Sequence, residues 1–337
     1  MTIIRVLLAS LLVVAMVAAV AEEGGEAFDD RPRATLLAHP DWFTETLFDL
    51  PDDLAGAVAA GKRGLMVYFG QRRCAYCHLL MEEVFGRADI RDYTRRHFDV
   101  VALDAWGVAE VTAIDGTVLS ERALALREQA DFTPAILFYA ADGRLALRLR
   151  GYYPPYQFRA ALEYVADGHY RRESFRDYLA RGDNRLVFEL DALNEADFFH
   201  APPHNLDRRF PSDRPLAVFF ERGECHACDV LHGQVLRASG LDAYFTRIDA
   251  VQLDIDSATP VITPEGRRRL ARDWAAELGV FYAPSLLFFD ERGRELLRVD
   301  SVASFYRLGR VLEYIDSRAY RTVSYGVWRS RPGGMMD

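Results

Sequence analysis

Cysteine is scarce in this chain, with four in 337 residues. Low-complexity tracts and basic stripes are missing altogether, and acidic residues outnumber basic ones by 50 to 41. The resulting formal charge of -9 excludes a general nucleic-acid binder, which needs a cationic face for the phosphate backbone. The N-terminal apolar run, Val6 to Val20, is shorter than the roughly 20 residues a bilayer crossing requires. With Arg5 ahead of it and Ala19-Val20-Ala21 behind it, this run reads as a cleaved secretory signal over residues 1–21 rather than an uncleaved anchor. Removing it takes away Arg5 and shifts the charge from -9 to -10. No cysteine follows the cleavage site, which excludes a bacterial lipid anchor there.

The four cysteines stand in two pairs, Cys74-Ala75-Tyr76-Cys77 and Cys225-His226-Ala227-Cys228. Export places them in an oxidising compartment, where cysteines are ordinarily spread out as staples. A bridge across two residues constrains the unfolded chain only slightly, so these pairs are poor staples. They read instead as accessible redox groups. Pro134 follows Cys74 by 60 residues and Pro284 follows Cys225 by 59, each heading an apolar run of strand length. Cys74 to Cys77 with His78 also fits a c-type haem attachment, but Asp229 follows Cys228 and breaks that pattern. A four-cysteine zinc site lacks short ligand spacing, since 147 residues separate Cys77 from Cys225. No metal and no cofactor beyond the disulfides themselves is expected. His200 and His204 flank Pro202-Pro203, which prevents a helix and predicts a loop.

Taking 21 residues from 337 leaves 316, a length that divides into two domains of about 150. An internal repeat supports that division. Leu162-Glu163-Tyr164-Val165 recurs as Leu312-Glu313-Tyr314-Ile315, Gly116 matches Gly266, and Asp104 matches Asp254, all at an offset of 150. The expected layout is a domain over 22–180, a linker at 181–184, a second domain over 185–329 and a mobile tail at 330–337. Half the residues are apolar and 12% aromatic, so both domains can build cores.

In the first copy, Asp52 and Asp53 predict the cap of a short helix ending near Gly61, and Leu65 to Phe69 is a strand-length apolar run. The dithiol follows at once, with a helical stripe at Leu79, Leu80, Val84 and Phe85. A helix over Asp89 to His97, a strand over Phe98 to Leu103 and a Ser120-capped helix to Gln129 come next. Strands Ala135 to Tyr139 and Leu145 to Leu149 form a hairpin through Asp142-Gly143, before a helix over Tyr156 to Val165. This order predicts an α/β fold in which helices cover a mixed central sheet.

These features, with Thr133-Pro134 before the third strand and Gly151-Tyr152 after the hairpin, resemble the thioredoxin superfamily in both copies. The insertion with Val111 to Gly116 and Ser120 to Ala125 is similar to exported thioredoxin-related proteins associated with bacterial thiosulfate oxidation. The resemblance implies two tandem thioredoxin-like domains acting as a periplasmic thiol-disulfide oxidoreductase. It implies cis bonds at Pro134 and Pro284, with Thr133, Ala283 and Tyr76 binding substrate. It also implies exported partners with oxidised cysteines, such as a thiosulfate-oxidation carrier protein or apocytochromes, and a membrane thiol-electron transporter as donor. Oxidase or isomerase action, or a redox relay or peptide-binding module with one inactive domain, stays open.

Free amide donors at a helix N-terminus favour thiolate over thiol, which makes Cys74 and Cys225 the nucleophiles and Cys77 and Cys228 the resolving groups. Both pairs are expected at solvent-facing helix tips. Arg72-Arg73 should favour the Cys74 thiolate while Glu224 opposes that of Cys225, which predicts electron flow from the second pair to the first. The superfamily's buried acid falls at Tyr68 and Phe219, with Glu221 as the possible substitute in the second copy. Ser301 stands where the first copy has Gly151, which predicts an altered groove.

Overall fold

The computed structural model describes residues 28–182, 193–223, 225–237 and 239–329. The expected signal segment, the tail, Asp183-Asn184 and Glu224 lie outside the described residues, and Arg181-Gly182 end a helix.

Domain 1 opens with α1 (Leu50–Ala59), followed by β1 (Gly64–Gly70). The N-cap of α1 is Asp49, whose Oδ1 accepts from Asp52 N–H at 3.0 Å. This corrects the expected cap at Asp52 and Asp53. Pro51 needs no hydrogen-bond partner in the first turn, so the helix starts earlier and those carboxylates sit within it. Helix α2 (Ala75–Leu79) carries the first dithiol and continues as a π-helical turn over Leu80–Val84. Then come α3 (Ala88–His97), β2 (Phe98–Asp104), a small hairpin of β3 (Glu110–Thr112) and β4 (Val118–Ser120), and α4 (Glu121–Arg127). Strands β5 (Ala135–Ala140) and β6 (Leu145–Arg150) precede α5 (Pro155–Ala166) and α6 (Phe175–Gly182).

The four strands are ordered β2-β1-β5-β6, with β1 parallel to β2 and antiparallel to β5. Every residue of β1 is buried, as a central strand covered on both faces requires. Alternation sends Met66 and Tyr68 into one apolar layer and Leu65, Val67 and Phe69 into the other. The β3–β4 hairpin turns at Gly116, where a φ of +80° suits glycine. Its three-residue strands are too short to announce themselves by pattern.

Domain 2 repeats the plan. After β7 (His204–Asn205) come β8 (Leu216–Glu221), α7 (His226–Val230) with a π-helical continuation over Leu231–Arg237, and β9 (Asp249–Asp254). Next follow β10 (Pro260–Ile262), β11 (Arg268–Leu270) and α8 (Ala271–Glu277). The domain closes with β12 (Ser285–Phe289), β13 (Glu295–Val299), α9 (Phe305–Asp316) and α10 (Tyr325–Arg329). Its main sheet is β13-β12-β8-β9, the same order as in domain 1. His204, expected in a loop, pairs with Val261 of β10 as a short strand after the cis Pro202-Pro203 bond. Among the described residues no helix is long and apolar enough to cross a membrane.

Candidate active site

Each dithiol sits where its central strand ends and its helix begins. Cys74 is the N-cap of α2, and Cys77 N–H points at Cys74 Sγ over 3.1 Å. Cys225 caps α7 in the same way, with Cys228 N–H 3.1 Å from its sulfur. Both pairs are bonded, with Cα atoms 5.1 Å apart. One amide of the first helical turn therefore faces the first sulfur of each pair, which favours a thiolate there once the bond is reduced.

The strand after each long connection returns a proline to its dithiol. Thr133-Pro134 and Ala283-Pro284 are cis. Thr133 Oγ1 lies 3.6 Å from Cys74 Sγ, and Ala283 O lies 3.5 Å from Cys225 Sγ. Residues 59 and 58 positions apart thus meet at the sulfur. Among the described residues no group of three or more His, Cys, Asp or Glu could hold a metal ion.

The profile of the thioredoxin-like domain matches twice, over residues 50–166 and 206–316. The chain belongs to the thioredoxin-like domain family. Among solved structures it is similar to a thioredoxin-fold protein from Helicobacter pylori at 24% identity, covering 42% of this chain and 87% of that one with a TM-score of 0.35. A thioredoxin from Thermus thermophilus shares 26% identity over 35% of this chain and 84% of its own, with a TM-score of 0.27. No curated protein sequence matches the chain. Two bonded, closely spaced cysteine pairs in thioredoxin-like domains support thiol-disulfide oxidoreductase activity.

The two thioredoxin-like domains differ behind the dithiol. In domain 2, Glu221 at the end of β8 is fully buried, its oxygens 2.9 and 3.1 Å from His232 Nε2. Gln252 Nε2 donates to the same carboxylate at 2.8 Å. These partners satisfy a polar group that would otherwise be costly to bury. Strand register puts Gly70 of domain 1 at this position, since Gly70 pairs with Asp104 as Glu221 pairs with Asp254. A Cβ on Gly70 would meet Tyr68 Oη at 2.2 Å. Tyr68 thus fills with its phenol the space beside Gly70, and Phe219, its counterpart, leaves that room to Glu221. Burial pushes the Tyr68 phenol far above its ordinary pKa.

Exposure differs as well, and here one expectation needs correction. Cys225 is half-buried, whereas Cys74, expected to face solvent, is only 5% exposed. Cys74 does lie at a helix tip, but domain 2 docks over it. Val302 N–H donates to Tyr152 O at 3.3 Å across an antiparallel bridge, and Ser304 N–H donates to Tyr76 Oη at 2.6 Å. Arg307 Nη2 donates to Thr133 O at 2.5 Å, with its guanidinium carbon 3.9 Å from the Tyr76 ring centre. Desolvation pushes Arg307 down to about 10, which leaves it charged at neutral pH. Arg72 and Arg73, read as the cations acting on Cys74, are exposed. Screening by solvent weakens their effect.

Gly151 and Ser301 form part of the same junction. A Cβ on Gly151, whose φ is +89°, would meet Ser301 Oγ at 1.8 Å. The difference between the copies at this position is therefore mutual accommodation, because the two equivalent residues touch. Asp30, whose carboxylate accepts from Tyr306 and Arg307 N–H, and Arg307 carry no sequence signal. Neither lies in a motif, and each acquires its partners from segments remote in the chain.

Proposed function

We propose that this protein is an exported reductase of protein disulfides, acting in the periplasm on clients that carry oxidised cysteines. The observation that carries the reading is Cys225, half-buried at a helix N-terminus beside the Ala283-Pro284 backbone. In the reduced protein the Cys225 thiolate attacks a client disulfide, expelling one client sulfur as a thiol and forming a mixed disulfide. Cys228 then attacks Cys225 Sγ, releases the second client thiol and leaves the Cys225–Cys228 bond. Two electrons pass to the client, and Cys74 and Cys77 are equipped for the same exchange.

Sustained reduction outside the cytoplasm needs an electron source, for which a membrane thiol transporter is the matching chemistry. The resemblance to proteins associated with thiosulfate oxidation points to a carrier protein of that pathway or to apocytochromes as clients. The test is a trap in the native host, with Cys228→Ser in the otherwise intact chain. Exported proteins should remain attached until a reductant is added, and the Cys225→Ser/Cys228→Ser double variant should capture none. Equal capture by both variants sinks the reading. Direction is settled by redox titration: a reductase belongs near thioredoxin's potential of about -270 mV, whereas a value near -120 mV marks an oxidase.

A further inference from the structure

The cover over Cys74 is built from groups that fit one another closely. Asp30, itself buried, caps α9 from outside domain 2: its Oδ1 accepts from Tyr306 N–H at 2.8 Å and its Oδ2 from Arg307 N–H at 2.9 Å. Tyr76 donates its hydroxyl to the same carboxylate at 3.3 Å. Helix α9 has no capping side chain of its own, so Asp30 supplies what the helix end lacks. Thr133, the residue before the cis proline, is fully buried and its carbonyl is taken by Arg307. The space remaining between Cys74, Tyr76, Asp30 and Arg307 is about 20 Å³. That is room for about one water and for no peptide.

Among the described residues the second pair has no counterpart of this cover. Tyr156 and Gln157 of domain 1 are the counterparts of Tyr306 and Arg307, and no hydrogen bond joins Gln157 to Ala283 among the described residues. Cys225 itself is half-buried, whereas Cys74 is 5% exposed.

We propose that Val302 to Arg307, held by Asp30, is a tethered occupant of the domain 1 client groove, so that Cys74 exchanges with a protein partner only after domain 2 releases it. The groove fits an extended segment that offers main-chain N–H groups to Tyr152 O and Tyr76 Oη and a guanidinium to Thr133 O. A client that displaces domain 2 must supply these groups itself, whereas the second pair meets partners directly. The inference rests on the reading of both pairs as redox-active.

The experiment compares reduction of each disulfide by dithiothreitol and by a reduced thioredoxin. Cys225→Ser/Cys228→Ser isolates the first pair and Cys74→Ser/Cys77→Ser the second. Each event moves two electrons and two protons, converting the reductant's dithiol to a disulfide and the pair to two thiols, counted by alkylation and mass. Dividing each thioredoxin rate by the dithiothreitol rate removes intrinsic differences between the pairs. The normalised rate should be at least about tenfold lower for the first pair, since charged hydrogen bonds must break first. Asp30→Asn and Arg307→Ala should each raise the first-pair ratio about fivefold or more and leave the second unchanged. Equal normalised rates for the two pairs in the parent chain overturn the proposal without recourse to a variant that could misfold. If dithiothreitol reduces neither pair, the redox reading itself is what fails.

Discussion

Arg150 and Asp300 occupy the same position in the two repeats and bind each other across the domain junction, Arg150 Nη2 to Asp300 Oδ2 at 2.7 Å. One copy of the ancestral position carries a cation and the other an anion, so a like-charge clash between equivalent sites becomes an attraction. Nearby, Tyr153 Oη donates to Asp300 O at 2.7 Å, and Tyr152 bridges its own equivalent, Val302. The domains therefore meet about a local pseudo-twofold axis.

The ion pair is partly buried, with side-chain exposures of 20% and 8%. Removing one partner leaves the other charge poorly solvated, and Arg150→Ala or Asp300→Ala should lower stability by about 2 kcal/mol, between the exposed and fully buried cases. The exchanged pair Arg150→Asp/Asp300→Arg should recover more than half of that loss. Urea unfolding followed by tryptophan fluorescence measures both, and an unchanged midpoint in the single variants would refute the role assigned to the pair.

Tyr68 and His232 make opposite predictions about buried polar groups. The Tyr68 hydroxyl is buried with no hydrogen-bond partner among the described residues. Tyr68→Phe should consequently be neutral or stabilising by up to about 1 kcal/mol, as Phe219 in the second copy already indicates. His232→Ala strips a partner from the sealed Glu221 carboxylate and should cost about 3 kcal/mol. Chemical denaturation of the two variants side by side decides the matter; a larger loss for Tyr68→Phe would contradict the packing described here.

His39, His97 and His204 are each held below the ordinary 6.5, chiefly by desolvation. Their depressed pKa means that the unfolded chain takes up protons first as the pH drops. The stability they contribute is complete above pH 6.5 and is lost as pH falls below it, until the folded protein binds the same protons. His39 stacks on Phe43 and meets the edge of Tyr68, so His39→Phe keeps the packing and removes one titrating group. Melting temperature measured from pH 7 to 5 should fall less steeply in this variant. An identical slope would show that His39 titrates alike in both states.

Much of the fold was legible because its signals are local. The apolar run of β1, the Ser120 cap of α4 and the Asp142-Gly143 turn each depend on residues within a few positions of one another, and each element lies where its pattern predicts. The spacing of the cysteines likewise located both helix tips. The cap of α1 slipped because two further acids follow Asp49 and only backbone geometry chooses among them. The buried Glu221 was visible as a strand-end acid, but its partners His232 and Gln252 come from separate elements.

Chain order was sufficient to establish two copies of one α/β domain, each with a dithiol at a strand-to-helix junction, since periodicity and spacing are properties of neighbouring residues. Which dithiol is open was settled only on docking. Asp30 meets Tyr306 across 276 positions and Arg307 meets Thr133 across 174. Contacts of that separation leave no periodic trace in sequence, because the burial and hydrogen bonding that select them exist only once the two domains pack together.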